Sequence, residues 1–350
     1  MTIPSGIGPR GALCFGLLLA AARSPSVAIG LEPLPVVVPD QLRAHIPLLE
    51  LSGLAWAPTL DRYLAVVDDT IDLATDDRRA PFVLALNRAG HLDAEPVPLD
   101  GLSALDDAES LAAGPGGTFF LLTSHSPTHR GKIRASRRQL LRLDLAGRRL
   151  RVTGKLDLLH GDDDISHELK KLGLPEETPV DLEAIAFHDG ALYIGLKAPL
   201  LPDGGAIILR LDRSSEAFAA GKLGAHTLSL WGQAKLAVPP IGGGPAPLVF
   251  QGVADLFFGP DGDLYLCANA PKNGSPDGGG ALWRVRFPTG GQLEARRLRR
   301  FIGLKPEGIT VRPGSGALTV VFDRNSRDPL WMTLPLGNPT DAATHQRRLP

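Results

Sequence analysis

Residues 183–199 read EAIAFHDGALYIGLKAP, which predicts two short apolar strands joined by a tight turn. An acid, Glu183, stands at the start of the first strand, and Asp189-Gly190 can take the positive φ that a tight hairpin needs. The flanking residues are rich in Ile, Leu, Phe and Tyr, as β-strands are. The stretch therefore predicts a β-hairpin that begins at a carboxylate.

The same pattern recurs along the chain, so we treat it as an internal repeat. Its five copies begin at Ser52, Glu109, Glu183, Asp255 and Glu307, spaced by 57, 74, 72 and 52 residues. Two further strand-like segments follow each of the first four copies. A unit of four antiparallel strands is typical of a β-propeller blade.

These repeats predict an all-β fold, a single β-propeller of five blades with four antiparallel strands each. Six blades stay open if one of the two long intervals contains a degenerate blade. We predict that His45–Glu50 supplies the outer strand missing from the last blade and so closes the ring. A short helical insertion is predicted at Ile165–Leu172, capped by Asp164, with another helix at Ser214–Ala220.

The composition narrows the protein class. Of 350 residues, 40 are Gly and 31 are Pro, and 43% are hydrophobic, which excludes a disordered chain and favours many short strands and turns. The 37 basic and 38 acidic residues nearly cancel, so no nucleic-acid partner is expected. The motifs of a P-loop and of a dinucleotide fold are missing from the sequence, so no nucleotide cofactor is expected.

The N-terminus has the features of a secretory signal peptide. No acid occurs in the first 28 residues, an apolar run at 11–22 follows Arg10, and Ser26-Val27-Ala28 provides a small-x-small end. The alternative is a buried N-terminal helix. We predict a signal peptide at 1–28, a linker at 29–44, the propeller at 45–335 and a polar tail at 336–350. The protein is then periplasmic or secreted, with no membrane span in the mature chain.

Four segments together resemble a known family. They are Thr123–Arg142, Asp181–Leu200, Ala268–Arg284 and Pro306–Ile309. In order and spacing they resemble an uncharacterised family of bacterial β-propeller domains, which is similar to the esterase-like phytase and sugar-lactonase propellers. The resemblance spans about Ser52 to Leu334 and implies the fold, but it implies no reaction.

The repeat also predicts a site at the channel mouth. The first strand of a blade lines the central channel, so the starting acids should meet there, and the second strand brings further polar side chains to the same end. Repelling carboxylates favour a bound cation, Ca²⁺ first and Mg²⁺ second. The alternative is that the acids only accept backbone hydrogen bonds between blades. The predicted metal ligands are Glu109, Glu183, Asp255, Asn269, Glu307 and Asp323.

A second cluster is basic, since residues 125–142 contain eight basic side chains and no acid. It could present cations to a small anionic ligand, or it could be a solvated loop. The predicted substrate-binding residues are Arg134, Arg137, Arg138 and Ser124. The predicted catalytic residues are Glu183 and Glu307 as metal ligands or bases, and Lys197 and His125 as groups that orient substrate or stabilise negative charge.

These predictions favour an exported, metal-assisted hydrolase of a small anionic ester, phosphoester or lactone. The alternative is a non-catalytic periplasmic binding or scaffold propeller that uses its face to bind a protein partner. Converging carboxylates in an open channel favour the enzyme, whereas a channel filled with Leu and Phe favours the scaffold.

Overall fold

The computed structural model describes residues 32–68, 79–128, 130–161, 164–240, 247–271, 279–324 and 328–336. The predicted signal peptide and nearly all of the predicted polar tail lie outside these residues. The described chain folds as five blades, which confirms the predicted β-propeller. None of the described helices has the length and apolar character needed to cross a membrane.

The strands follow one another around the ring, and the innermost strand of each blade comes first. Before and within blades 1 and 2 the strands are β1 Leu34–Pro35, β2 Leu51–Ala57, β3 Arg62–Val67, β4 Phe82–Leu86, β5 Val97–Asp100, β6 Ala108–Ala113, β7 Thr118–Thr123, β8 Leu140–Ala146 and β9 Arg149–Leu156. Blade 1 is β2 to β5 and blade 2 is β6 to β9, and their outer strands β5 and β9 pair in parallel over two residues.

Blade 3 and the segment after it continue the chain. Their strands are β10 Asp181–His188, β11 Ala191–Ala198, β12 Ala206–Leu211, β13 Leu228–Ala234, β14 Ala237–Val238 and β15 Val249–Phe250. Blade 3 is β10 to β13, and β14 with β15 forms a two-stranded ribbon that leads to blade 4.

Blades 4 and 5 complete the ring. Their strands are β16 Gly252–Phe258, β17 Leu264–Asn269, β18 Gly280–Val285, β19 Gly291–Leu293, β20 Ala295–Phe301, β21 Lys305–Val311, β22 Ala317–Asp323 and β23 Leu330–Pro335. Blade 4 contains β16, β17, β18 and β20, whereas β19 leaves it and pairs with β13 of blade 3. Blade 5 contains β21, β22 and β23, with β1 as its outer strand.

The ring is closed by the N-terminal segment, but the predicted closing strand was wrong. Leu34 of β1 pairs with Trp331 of β23, and the backbone of Val37 exchanges hydrogen bonds with Gly90 and Leu92 of blade 1 at 2.8 and 2.9 Å. His45–Glu50 forms no strand, because His45 ends helix α1 (Asp40–His45) and Ile46 and Leu49 pack into the core. Pro-flanked residues 34–37 therefore join the last blade to the first.

Each gap between neighbouring blades holds its own apolar core. Five clusters of buried residues lie between successive blades, and the cluster between blades 5 and 1 includes Val36, Ile46 and Leu49 of the N-terminal segment. Burial of apolar surface between blades stabilises the ring by about 25 cal/mol per Å². The N-terminal segment is therefore part of the core.

The two predicted helices are present. Helix α2 is Ile165–Lys171, and the side chain of Asp164 accepts a hydrogen bond from the His167 N–H at 3.1 Å, which confirms the predicted cap. Helix α3 is Ser214–Ala220 and packs its Phe218 against blades 2 and 3. Both helices lie at the outer part of the ring and leave the innermost strands to form the axis.

Candidate active site

A β-bulge interrupts the innermost strand of every blade near its start. The strand register shifts by one residue at the same place in all five blades, which identifies the structurally equivalent positions. The bulged residues are Gly53, Glu109, Glu183, Ala254 and Glu307. Three blades therefore place an acid at this position, whereas the repeat had aligned Ser52 and Asp255 with those acids.

Asp255 lies one residue past the bulge and faces the axis below the mouth. Its carboxylate accepts a hydrogen bond from Ser110 Oγ of blade 2 at 2.8 Å and from the Ile309 N–H of blade 5 at 2.7 Å. Ser110 Oγ in turn accepts the Ile185 N–H of blade 3 at 3.0 Å. These hydrogen bonds, which we call the relay, connect four blades across the axis. Asp255 therefore joins neighbouring blades and lies outside the predicted metal site.

The axis therefore has three layers. The bulged acids lie at the mouth, the Ser110–Asp255 relay lies in the middle, and a cavity of about 50 Å³ lies beyond it. The cavity is lined mainly by apolar side chains such as Leu54, Leu111 and Ile185. Polar chemistry is thus concentrated at the mouth.

At the mouth, Lys197 lies between two buried glutamates. Its Nζ is 2.7 Å from both carboxylate oxygens of Glu183 and 3.8 Å from Glu307 Oε1. Burial alone would lower the pKa of Lys197, but the neighbouring carboxylates outweigh it and hold that pKa well above its usual value. Lys197 is therefore a fixed positive charge rather than a nucleophilic amine.

The two glutamates differ in how firmly Lys197 holds them. Burial raises the pKa of both Glu183 and Glu307, and the charge of Lys197 opposes that rise. Glu183 contacts the ammonium through both oxygens, whereas Glu307 is at 3.8 Å through one. Glu307 is the carboxyl that is better placed to exchange a proton.

A carboxylate triad lies next to this pair. Oxygens of Asp68, Asp107 and Glu109 all lie within 4.8 Å of one another. Glu109 is 8% exposed and, among the described residues, has no hydrogen-bond donor at its carboxylate. Burial raises its pKa well above the usual value, and the charges of Glu183, Asp68 and Asp107 raise it further. A proton or a cation at Glu109 would relieve this repulsion.

Asp107 also connects the triad to the predicted basic cluster. Arg137 and Ser124 both donate to its Oδ2, and Ser126 Oγ lies 3.2 Å from the same oxygen. Arg137 and Ser124 thus reach the mouth, but they do so through Asp107, and their contact with a substrate stays a prediction. Their first role in the structure is to orient that carboxylate.

The other predicted basic residues have partners outside the carboxylate triad. Arg134 pairs with Asp106 at 3.0 Å, and Arg138 pairs with Asp157. The ring of His125 is fully buried, with Nδ1 2.8 Å from the Thr123 carbonyl and Nε2 accepting the Leu158 N–H at 3.3 Å. Burial lowers the pKa of His125 to about 4, so a neutral imidazole fixes the loop, and the predicted catalytic role does not fit these contacts.

Asn269 and Asp323 occupy the predicted ends of their second strands. Asn269 Nδ2 donates to the Pro306 carbonyl at 3.0 Å, and Lys305 Nζ is 3.5 Å from Asp323 Oδ2. Both side chains therefore contact blade 5, and Asp323 is not one of the three triad carboxylates. Asn269 Oδ1, the atom predicted as a ligand, is buried and has no hydrogen-bond partner among the described residues, so its role as a ligand stays a prediction. Asp68 and Asp107 were missed by the sequence reasoning, although the repeated Asp-x-Glu of 107–109 and 181–183 could have indicated the second of them.

Comparisons with known proteins show only a broad similarity of fold. No family model matches the chain, and no curated protein matches it. The solved structures that align with it include a glutaminyl cyclase from Myxococcus xanthus (15% identity, 87% of this chain and 94% of that one, TM-score 0.44). An endo-arabinase from Bacteroides thetaiotaomicron aligns at 11% identity over 84% and 97%, with a TM-score of 0.49. A glycosyl hydrolase from Bacteroides ovatus aligns at 10% over 90% and 96%, with a TM-score of 0.46.

At these identities and TM-scores, the similarities carry no argument about what this chain does. The propeller itself is confirmed by the five blades. The narrower resemblance to esterase-like phytase and sugar-lactonase propellers finds no support in these comparisons and stays a prediction.

Proposed function

We propose that this protein is an exported hydrolase that uses a divalent cation at the propeller mouth to cleave a small ester or lactone. One observation carries the proposal. Glu109 is a buried carboxylate that no donor among the described residues satisfies, and oxygens of Asp68 and Asp107 lie within 4.8 Å of its own. A cation at this place would offset the repulsion that raises the pKa of Glu109.

The donor set fits a hard cation. Three carboxylates offer only oxygen, the ligand that Ca²⁺ and Mg²⁺ prefer, and Ca²⁺ tolerates irregular geometry better. A cation bound there would polarise the scissile carbonyl or lower the pKa of an attacking water. Arg137 holds Asp107 from the outer side, which orients one ligand without occupying the others.

The neighbouring residues would supply the remaining chemistry. The ammonium of Lys197 is fixed by Glu183 and can stabilise negative charge that develops on a carbonyl oxygen. Glu307 has a pKa raised mainly by burial, so it can take a proton from water and return it to the leaving oxygen. In this proposal Glu183 is a positioning residue, because both of its oxygens are engaged by Lys197.

The charges at and near the mouth also restrict the class of substrate. Arg134, Arg137 and Arg138 each have an aspartate partner, so these arginines offer little to an anion. Several carboxylates surround Lys197, which disfavours a doubly charged phosphoester. Among the predicted substrate classes, a carboxylic ester or a lactone therefore fits better.

The alternative function is a non-catalytic binding or scaffold propeller. It is favoured by the Ser110–Asp255 relay, which joins four blades across the axis as a structural element would. In that case some of the triad carboxyl groups would be protonated, and replacing them would not reduce the stability of the protein without ligand.

Hydrolysis assays separate the two functions. EDTA-treated protein would be assayed with p-nitrophenyl butyrate, an aromatic lactone and p-nitrophenyl phosphate, with and without Ca²⁺ or Mg²⁺. We expect the cation to raise ester or lactone hydrolysis at least about tenfold, and Glu109→Gln to abolish that rise, as expected for loss of a metal-assisted step. Asp100→Asn, an exposed ion-pair residue on β5, is the matched control. If no ester or lactone is cleaved with either cation, the hydrolase proposal is wrong.

A further inference from the structure

The connection between β18 and β20 takes an unusual course. Instead of turning directly, it leaves blade 4, adds β19 to the edge of blade 3, and returns. Gly290 lies so close to Trp231 that a Cβ there would be 2.8 Å from the Trp231 carbonyl oxygen. The connection, which we call the strap (residues 286–294), encloses a groove of about 350 Å³ against β18 and β20.

An exposed aromatic residue with an unusual backbone lines this groove. Phe287 is 65% exposed and has a φ of 43°, a left-handed conformation that is a genuine outlier for a bulky residue. Its N–H donates to Asp263 Oδ1 at 3.1 Å, and Asp263 is 1% exposed. The fold thus uses a buried acid to hold Phe287 in a conformation that costs energy, which is typical of functional positions.

Arginines line the same groove. Arg284 is fixed from below by Asp263 and by Asp261. Arg286 and Arg296 are exposed, and within the described part of the chain no acid forms an ion pair with either. Arg284 and Arg296 lie directly opposite each other on β18 and β20, where like charges are destabilising.

Protection of an exposed edge strand could explain charges on β20. It does not explain why Phe287 is held under strain in the groove, or why the strap leaves its own blade to enclose it. These features together describe a built binding surface.

We propose that this groove binds a short segment of an acidic polysaccharide. The Arg286 guanidinium lies over the Phe287 ring, 5.8 Å from its centroid, and the exposed part of that ring can pack against a sugar ring. The guanidinium groups of Arg286 and Arg296 can pair with carboxylates of the sugar. Thr289, Gln292 and Glu294 of the strap offer polar groups for sugar hydroxyls. The volume lies within the range of small-ligand pockets, enough for about one or two sugar rings.

Other polyanions fit less well. Binding to a bilayer surface buries several apolar side chains, whereas this groove presents one exposed aromatic ring. A nucleic acid needs a strongly basic surface, whereas the chain has a formal net charge of −1. This proposal is independent of the chemistry at the channel mouth.

Calorimetric titration with tetragalacturonate tests the proposal on the full chain. We expect saturable binding that weakens as salt is raised, and no binding of the uncharged tetragalactose. The double variant Arg286→Gln with Arg296→Gln and the single variant Phe287→Ala should each weaken binding at least about tenfold. Arg297→Gln is the matched control, because this exposed arginine stands on the same strand but stacks over Trp283 outside the groove.

Three outcomes would overturn the proposal: no binding of tetragalacturonate, equal binding of the uncharged sugar, or full binding by the groove variants when circular dichroism shows that they are folded. Vesicles with about one third phosphatidylglycerol and a 20-mer duplex DNA serve as competing probes. If either binds more tightly than tetragalacturonate and loses binding in the groove variants, the partner is that polyanion and the polysaccharide assignment is wrong.

Discussion

Glu109→Gln is the perturbation that most directly probes the electrostatics of the mouth. Glutamine keeps the shape of the side chain but removes its charge. The three triad carboxylates have oxygens within 4.8 Å of one another, and at that separation two unit charges repel by about 3.5 kcal/mol at an effective dielectric constant of about 20. Arg137 neutralises Asp107, and protonation of Glu109 limits the cost, so we expect about 1–3 kcal/mol of stabilisation in metal-free protein.

The pH dependence of this gain has a definite sign. Burial, followed by the neighbouring carboxylates, raises the pKa of Glu109 above its ordinary value of 4.5. A group whose pKa is raised on folding contributes stability that is complete below the unfolded pKa and is lost as the pH rises through the folded pKa. The parent protein should therefore lose stability from about pH 5 to about pH 8 in EDTA, and Glu109→Gln should lose less.

Urea unfolding in EDTA at both pH values measures the effect. We expect the midpoint of the variant to exceed that of the parent at the higher pH and to approach it at the lower one. If Glu109→Gln destabilises the protein by about 1 kcal/mol or more at the higher pH, then Glu109 accepts stabilising hydrogen bonds and the electrostatic account is wrong.

Three further predictions concern the core of the mouth, the closure of the ring and export. Lys197→Met should destabilise the protein by about 3–5 kcal/mol in urea unfolding, because Glu183 and Glu307 lose their buried counter-charge. The control Lys305→Met, at a more exposed ion pair, should cost about 1 kcal/mol or less. Equal losses in the two variants would contradict this prediction. Deleting residues 29–37 removes β1 and exposes the edge of β23, so calorimetry should show aggregation or loss of cooperative unfolding. Truncation after residue 336 is the control and should show neither effect. If the deletion variant still unfolds cooperatively, then β1 does not close the ring. N-terminal sequencing of the secreted or periplasmic protein should begin near Ile29, and an intact Met1 in cytosolic protein would refute export.

The blades could be predicted because each repeats a local pattern. Strand alternation and turn residues identify the hairpins of the repeat without any long-range information, as at Asp189-Gly190 and Asp261-Gly262. The closing strand could not be predicted, because residues 34–37 pair only over a few positions and depend on contacts with both blade 5 and blade 1. Such contacts leave no periodic pattern in the sequence.

The sequence repeat aligned Glu109, Glu183 and Glu307 correctly, but it misaligned Asp255 for a physical reason. A bulge shifts the side-chain direction by one residue, so Asp255 matches the acids in the sequence repeat but points into the axial relay. Asp107 directly precedes β6, two residues before Glu109, and Asp68 directly follows β3, where its carbonyl accepts the Asp107 N–H at 3.1 Å; the repeat aligned neither position. The basic run of 125–142 gave no indication that Asp106, Asp107 and Asp157 would pair with its arginines.

The proposed activity depends on a cation site formed by Asp68, Asp107 and Glu109. Isothermal titration of Ca²⁺ into EDTA-stripped protein tests this most directly, with Mg²⁺ titrated in parallel. We expect about one Ca²⁺ per chain, loss of binding in Glu109→Gln, and a stabilisation of about 2.7 kcal/mol when Ca²⁺ is a hundredfold above Kd. If the parent binds neither cation, or if Glu109→Gln binds Ca²⁺ as tightly as the parent, then the triad is not a metal site.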